Sequence, residues 1–200
     1  MSARPFTEPE YATLLSSLAG PGRTRDRLLL VMGCGVGYRI SELLSLRVGD
    51  VWRGEEVAQE VTIARRHLKG GHGPHRRAVK GRRVVLSENV RTALRGHLTV
   101  IGTSNPGLAL FSSAKAKGEP MGRSMVFKLL REACAACGIT NARVSTHSLR
   151  KTFVGRVYRA SGNDLIATQR VVGHTNPATT ARYLETDSAH LDDLVRHLAA

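Results

Sequence analysis

The sequence predicts a mainly helical domain with one small antiparallel sheet, an α+β arrangement, and three observations carry that expectation. Helix-start signals recur along the 200 residues, at Thr7-Glu8-Pro9-Glu10, Ser87, Ser124, Ser145 and Asn176-Pro177. Strand character is confined to short stretches at Val51-Trp52, residues 60–64 and residues 83–86. No repeat, low-complexity segment or internal linker interrupts the chain, so one domain over residues 1–200 is expected.

Taken in order, Thr7 and Glu10 form a capping box with Pro9 in the first turn, which predicts a helix over residues 8–18 ended by Gly20-Pro21-Gly22. A second helix spans 25–35 and a third 39–46, followed by a turn at Gly49-Asp50 and the strand at Val51-Trp52. The strands at 60–64 and 83–86 are joined by a glycine-rich basic stretch, 69–81, read as a long hairpin loop. Ser87 caps a helix to residue 98; Ser124 caps another that ends at Cys137-Gly138. Residues 145–147 open a helix to 160, Asn163 caps one to 172, and Asn176 precedes a proline suited to a first helical position. In the last residues Leu191, Leu194, Val195 and Leu198 fall at helical spacing.

Charge narrows the partners. A net charge of +14 points to a polyanion such as nucleic acid, although charge alone leaves membrane surfaces and ribosomes open. Three cysteines make no disulfide framework, which fits a reducing cytoplasm. Cys134 and Cys137 form a C-x-x-C that could be redox-active or zinc-binding, but Ala133, Ala135 and Ala136 around them favour tight helix packing. The longest apolar run, residues 28–32, is far too short to span a membrane, and no targeting segment is evident. His67, His72 and His75 lack an accompanying cysteine or carboxylate, so no metal site is expected there. No strand leads into the G-C-G-V-G before Arg39, so it is not read as a nucleotide-binding loop, and no cofactor is expected.

The chemistry concentrates near the C-terminus, where H-S-L-R-K-T is followed by V-V-G-H-T-N-P-A-T-T-A-R-Y. His147, Arg150, His174 and Tyr183 can all serve phosphoryl transfer: a phenol is a competent nucleophile, a guanidinium forks onto non-bridging oxygens, and imidazole moves protons near neutral pH. His147 and Arg150, three apart at a helix start, project from one face. The alternative for His174 is a buried core histidine, and Tyr11, Tyr38 and Tyr158 are expected to pack rather than react. Upstream, Arg65, Arg66, Lys69, Arg76, Arg77, Lys80, Arg82, Arg83, Arg91 and Arg95 face the single acid Glu88 over residues 61–95, an electrostatic footprint for phosphates.

The order H-x-x-R, then G-H, then Tyr183 nine residues on, resembles the second conserved box of the tyrosine recombinases, the phage-integrase family. Gly37-Tyr38-Arg39-Ile40-Ser41-Glu42-Leu43 resembles the first, and the likeness covers nearly the whole chain. The resemblance implies the mainly helical catalytic domain of that family and double-stranded DNA as partner. It implies a catalytic set of Arg39, Lys69, His147, Arg150, His174 and Tyr183, with no metal. Glu42 is either an orienting partner of Arg39 or a solvated helix carboxylate.

On the hairpin the family carries a lysine as general acid; Lys69 matches it best, with Lys80 the competitor because the loop tip is enlarged. Arg65, Arg66, Arg76, Arg77, Lys80 and Arg82 are then expected as DNA contacts. The implied reaction is site-specific recombination through a 3′-phosphotyrosine, with DNA relaxation of the type IB topoisomerase kind or DNA binding without catalysis as alternatives. Family members carry an N-terminal DNA-clamp domain that is expected to be absent here. Self-assembly on DNA through the C-terminal tail is expected, in the cytoplasm, at a prokaryotic nucleoid or on the DNA of a phage or mobile element.

Overall fold

The computed structural model describes residues 3–20, 22–64, 67, 81–113, 118–140, 143–174 and 176–184. The chain forms two compact units, Met1–Phe153 and Val154–Ala200. Among the described residues the architecture is mostly helical with one two-stranded antiparallel sheet, as the sequence predicts. No helix among them is long and apolar enough to cross a membrane.

In the first unit, α1 (Glu8–Ser17) starts at the expected capping box: the Glu10 N–H donates to Thr7 Oγ1 at 3.3 Å, and the Thr7 N–H donates to Glu10 Oε2 at 2.9 Å. Glu10 also accepts from Arg4, Nη1 at 2.7 Å and Nη2 at 2.5 Å, and this pairing pulls its carboxyl down from 4.5 to about 2. Residues 4–6 are tied further on, through the Arg4 N–H to the Arg143 carbonyl and the Phe6 N–H to Thr152 Oγ1 at 2.8 Å. The chain start is thereby fastened along the stretch that carries His147 and Arg150.

Helix α2 (Thr24–Gly35) is the centre of the core, with Leu28 through Cys34 buried. Each such aliphatic side chain contributes roughly 1.5–3 kcal/mol by leaving water. It packs on α5 (Glu88–Ile101), which buries Val90, Leu94, His97 and Leu98 on one face. The His97 ring is held between the Thr24 hydroxyl at 3.0 Å and the Leu110 carbonyl at 2.9 Å, and burial pushes its pKa down. Gly33 lets the next layer close in: a Cβ there would stand 2.8 Å from Leu149 Cδ1.

The expected third helix is shorter, α3 (Ile40–Leu44). The expected turn and strand around Val51-Trp52 are instead one helical turn, α4 (Val48–Val51), because Asp50 caps it by accepting the Arg47 N–H at 2.8 Å. Trp52 makes only an isolated bridge to Val57. Strand β1 (Glu60–Ile63) pairs with β2 (Arg82–Val85) in the register Val61↔Val84 and Ile63↔Arg82, so Val61, Ile63, Arg82 and Val84 share the inward face.

Helix α6 (Arg123–Ala136) begins after Gly122, so Ser124 lies inside it and does not cap it. Its Cys134 is buried and its thiol is pushed up to about 11 by that burial, the behaviour of a packing residue. Helix α7 (Thr146–Ala160) begins in the first unit and ends in the second. In the second unit α8 (Leu165–Val172) is capped by Asp164, which accepts from the Ile166 and Ala167 N–H groups. The expected cap Asn163 instead adopts φ 66°, turning the chain ahead of it. Helix α9 (Pro177–Tyr183) has the expected Asn176 cap, bonded by the Ala178 N–H at 2.8 Å. The apolar stripe of Leu191, Leu194, Val195 and Leu198 lies outside the described residues.

Since Glu10 titrates near 2 in the folded chain against 4.5 ordinarily, its stabilising effect is present above about pH 4.5 and is lost as the pH falls toward 2. Glu10→Gln should therefore lower the thermal midpoint near neutral pH and converge with the wild type at about pH 2. Melting curves across that range check it, and a difference undiminished at the acid end contradicts it.

Candidate active site

The site is built on the turn between α2 and α3. Gly37 holds φ 62°, and a Cβ there would lie 2.0 Å from Phe153 Cδ1, so the position requires glycine on both conformational and steric grounds. Its carbonyl accepts from Arg150 Nη1 at 2.5 Å and from Arg82 Nη1 at 3.2 Å, while Arg82 Nη2 donates to the Val36 carbonyl at 3.2 Å. Tyr38 is buried, its hydroxyl 2.9 Å from both the Val61 and Arg82 carbonyls, and burial pushes its pKa up to about 12. It is a strut to the hairpin, in keeping with the packing role expected of it.

Arg39 follows as the cap residue of α3. Its N–H donates to Glu42 Oε2 at 2.8 Å and its Nη1 to Glu42 Oε1 at 2.7 Å. Glu42 is 1% exposed while the Arg39 side chain is 39% exposed, so the carboxylate is no solvated surface group. It fixes a guanidinium whose far side still meets solvent.

Arg39, His147 and Arg150 come together around one cavity of about 400 Å³, with Arg123 and Phe127 of α6 completing the wall. The N-terminal residues of α3, α6 and α7 all line it, and free backbone N–H groups at helix starts favour an anion. Arg150 is 2% exposed and anchored, whereas His147 is exposed at the rim. Burial, and after it the charges of Arg150 and Arg39, lower Arg82 to about 10. An arriving phosphate would relieve that repulsion.

In the second unit His174 sits just past Gly173, which ends α8 in the left-handed conformation at φ 70°. Its ring is 7% exposed, as a core histidine would be, yet Nδ1 lies 2.9 Å from Thr180 Oγ1, and its carbonyl accepts from Gln169 Nε2 at 2.9 Å. The Tyr183 ring stands with its centroid 5.2 Å from that of His174, tilted by 41°. The imidazole just past α8 and the half-buried phenol at the end of α9 are therefore neighbours.

Lys69, Arg65, Arg66, Arg76, Arg77 and Lys80 lie outside the described residues. Arg82, expected as a DNA contact, turns inward, its guanidinium 4.9 Å above the Tyr38 ring. Alternation along β2 places Arg82 on the face of Val84, a signal that a count of charges passes over. Arg123, Ser124, Phe127 and Thr146 also line the cavity, and nothing in their local sequence announces it.

This fold is that of a tyrosine recombinase catalytic domain. Residues 4–190 match the phage integrase family, to which the chain belongs, a class of enzymes that cut and rejoin DNA strands. The probable integrase/recombinase YoeC of Bacillus subtilis is 29% identical over 163 residues, 82% of this chain and 78% of YoeC. Tyrosine recombinase XerA of Pyrococcus furiosus is 27% identical over 190 residues, which is 95% of this chain but only 60% of XerA. A XerH site-specific recombinase, solved bound to a palindromic difH substrate after cleavage, shares the fold with a TM-score of 0.70 at 23% identity, over 98% of this chain and 54% of that one.

Gly37→Ala should cost roughly 2–4 kcal/mol, the sum of a left-handed alanine and an overpacked contact with Phe153. Urea unfolding measures it, and a loss below about 0.5 kcal/mol would mean the turn can move aside.

Proposed function

We propose that the chain cuts and rejoins double-stranded DNA as a site-specific recombinase, with Tyr183 as nucleophile. The supporting observation is the cavity in which Arg39, Arg150 and His147 meet at helix starts, in a member of this family. In this reading the scissile phosphate occupies that cavity and both units serve as one catalytic domain. Arg39 and Arg150 neutralise charge growing on the non-bridging oxygens, and His147 and His174 donate hydrogen bonds or move protons there. Tyr183 Oη forms the bond to phosphorus as the 5′ oxygen leaves, and Lys69 protonates that oxygen, with Lys80 the other candidate. The 3′-phosphotyrosine so formed keeps the bond energy, so a second strand's 5′ hydroxyl can reverse the step without ATP.

Around that chemistry, Arg65, Arg66, Arg76, Arg77 and Lys80 are read as phosphate contacts, in line with the net charge of +14. Work on DNA puts the protein in the cytoplasm, at a nucleoid or on mobile-element DNA. Relaxation of supercoils without strand exchange is the same chemistry, and synapsed sites distinguish the two by whether strands are exchanged.

Incubated with a nicked duplex that traps the intermediate, the wild type should form a covalent adduct that Tyr183→Phe abolishes with binding retained. An adduct in that variant, or one mapping to Tyr158, contradicts the assignment. Lys69→Ala should slow cleavage roughly 10²–10⁴-fold, with most of the rate restored by a sulfur leaving group that needs no proton. Rescue of Lys80→Ala instead would move the general acid.

Assembly on DNA is assigned to the segment after Tyr183, whose Leu191, Leu194, Val195 and Leu198 fall at helical spacing. Deleting residues beyond Thr186 should leave single-site binding intact and remove cooperativity in gel-shift titrations. Unchanged cooperativity, or an unfolded chain, would make the segment part of the core.

A further inference from the structure

The basic residues of 61–95 read alike in sequence, yet Arg82 is built differently. Its two terminal nitrogens donate to consecutive carbonyls, Val36 and Gly37, its plane lies over the Tyr38 ring, and its own carbonyl accepts from the Tyr38 hydroxyl. Those three residues are the whole turn that leads into Arg39. The Gly37 carbonyl is also the acceptor of Arg150 Nη1, so one oxygen spaces two guanidinium groups. A side chain engaged on both prongs and stacked on a ring has little left to offer a phosphate.

Nor is Arg82 well suited to stability alone. Its Nε is buried with no hydrogen-bond partner among the described residues, and its charge faces those of Arg150 and Arg39. An apolar side chain would fill the inward face beside Val84 without that repulsion, but would take the Arg82 donor from the Val36 carbonyl and leave the Gly37 carbonyl to Arg150. What the arginine supplies is a fixed geometry for the turn and for Arg150.

We propose that Arg82 is a positioning residue of the phosphate site: by gripping the Val36 and Gly37 carbonyls it sets where Arg39 and Arg150 stand, without itself touching DNA. The inference rests on the recombinase reading above. It also gives the hairpin a second task, since Arg82 is the first residue of β2 after the stretch holding Lys69 and Lys80. The start of β2 and the turn before Arg39 are one hydrogen-bonded assembly.

The test uses the full chain and a nicked trapping duplex carrying the junction sequence found beside its own gene. Single-turnover cleavage at saturating DNA should fall roughly 10²-fold in Arg82→Gln, the cost of misplacing a catalytic group by about an ångström. Affinity should change less than about threefold and the salt dependence of binding should keep its slope, because no phosphate contact is lost. The double variant Arg82→Gln/Arg150→Ala should cleave no more slowly than Arg150→Ala, since both changes disable one unit. Arg82→Lys, which keeps the charge but not the planar fork, should remain roughly 5–10-fold slow.

A salt slope reduced by about one with the rate intact would make Arg82 a DNA contact and overturn the proposal. Multiplicative losses in the double variant, or wild-type cleavage by Arg82→Lys, would overturn it as well. If Arg82→Gln does not fold, Arg82→Lys carries the same readouts; if neither folds, Arg82 is a core residue and the proposal fails. A wild-type chain that forms no adduct overturns the recombinase reading itself, and this inference with it.

Discussion

The Gly37 carbonyl is the contact on which the candidate site depends. It accepts from Arg150 and Arg82 at once, and it can point at both only because the residue holds a positive φ with no side chain against Phe153. A buried guanidinium such as Arg150 is tolerable when its donors meet fixed acceptors. The turn supplies one, and the packing of α2 against α5 and Leu149 keeps the turn still. Apolar burial in the helices is thus converted into the placement of charge.

Electrostatics gives that placement its use. Arg150 and Arg39 are near enough to act on the charge of Arg82, and buried Glu42 orients Arg39 without screening its solvent-facing side. The cavity that Arg39 and Arg150 share with His147 also collects the starts of three helices. Such a site is under-neutralised by design of its backbone and best satisfied by an anion carrying several oxygens. Preorganisation of this kind lets charge develop on a phosphate without the protein having to rearrange at that moment.

Signals that act within a few residues were legible in the sequence. Thr7 with Glu10, and Asn176 with Pro177, mark helix starts because a cap and its N–H groups are neighbours in the chain. Adjacent candidates defeat the same logic: Asp164 caps where Asn163 could, and Gly122 precedes the helix that Ser124 promised to open. Arg39, His147, Arg150, His174 and Tyr183 were candidates by their spacing and the family likeness it carries, and the structure gathers the first, second and third around one cavity and sets the last two side by side. The burial of Glu42, the inward turn of Arg82 and the cavity role of Arg123 and Phe127 were not, because each depends on packing between segments far apart in sequence. Alternation along β2 could have separated Arg82 from Arg83, since only one of them shares a face with Val84.

On the proposed recombinase reading, Arg39, His147 and Arg150 hold the phosphate that Tyr183 attacks. A crystal structure of the chain on nicked duplex DNA with orthovanadate tests it most directly, because vanadate adopts the five-coordinate geometry of the transferring phosphoryl group. The account predicts vanadium bonded to Tyr183 Oη, with Arg39, His147, Arg150 and His174 within hydrogen-bond distance of its oxygens. Vanadate bonded to another residue, or seated away from Arg39 and Arg150, would contradict it.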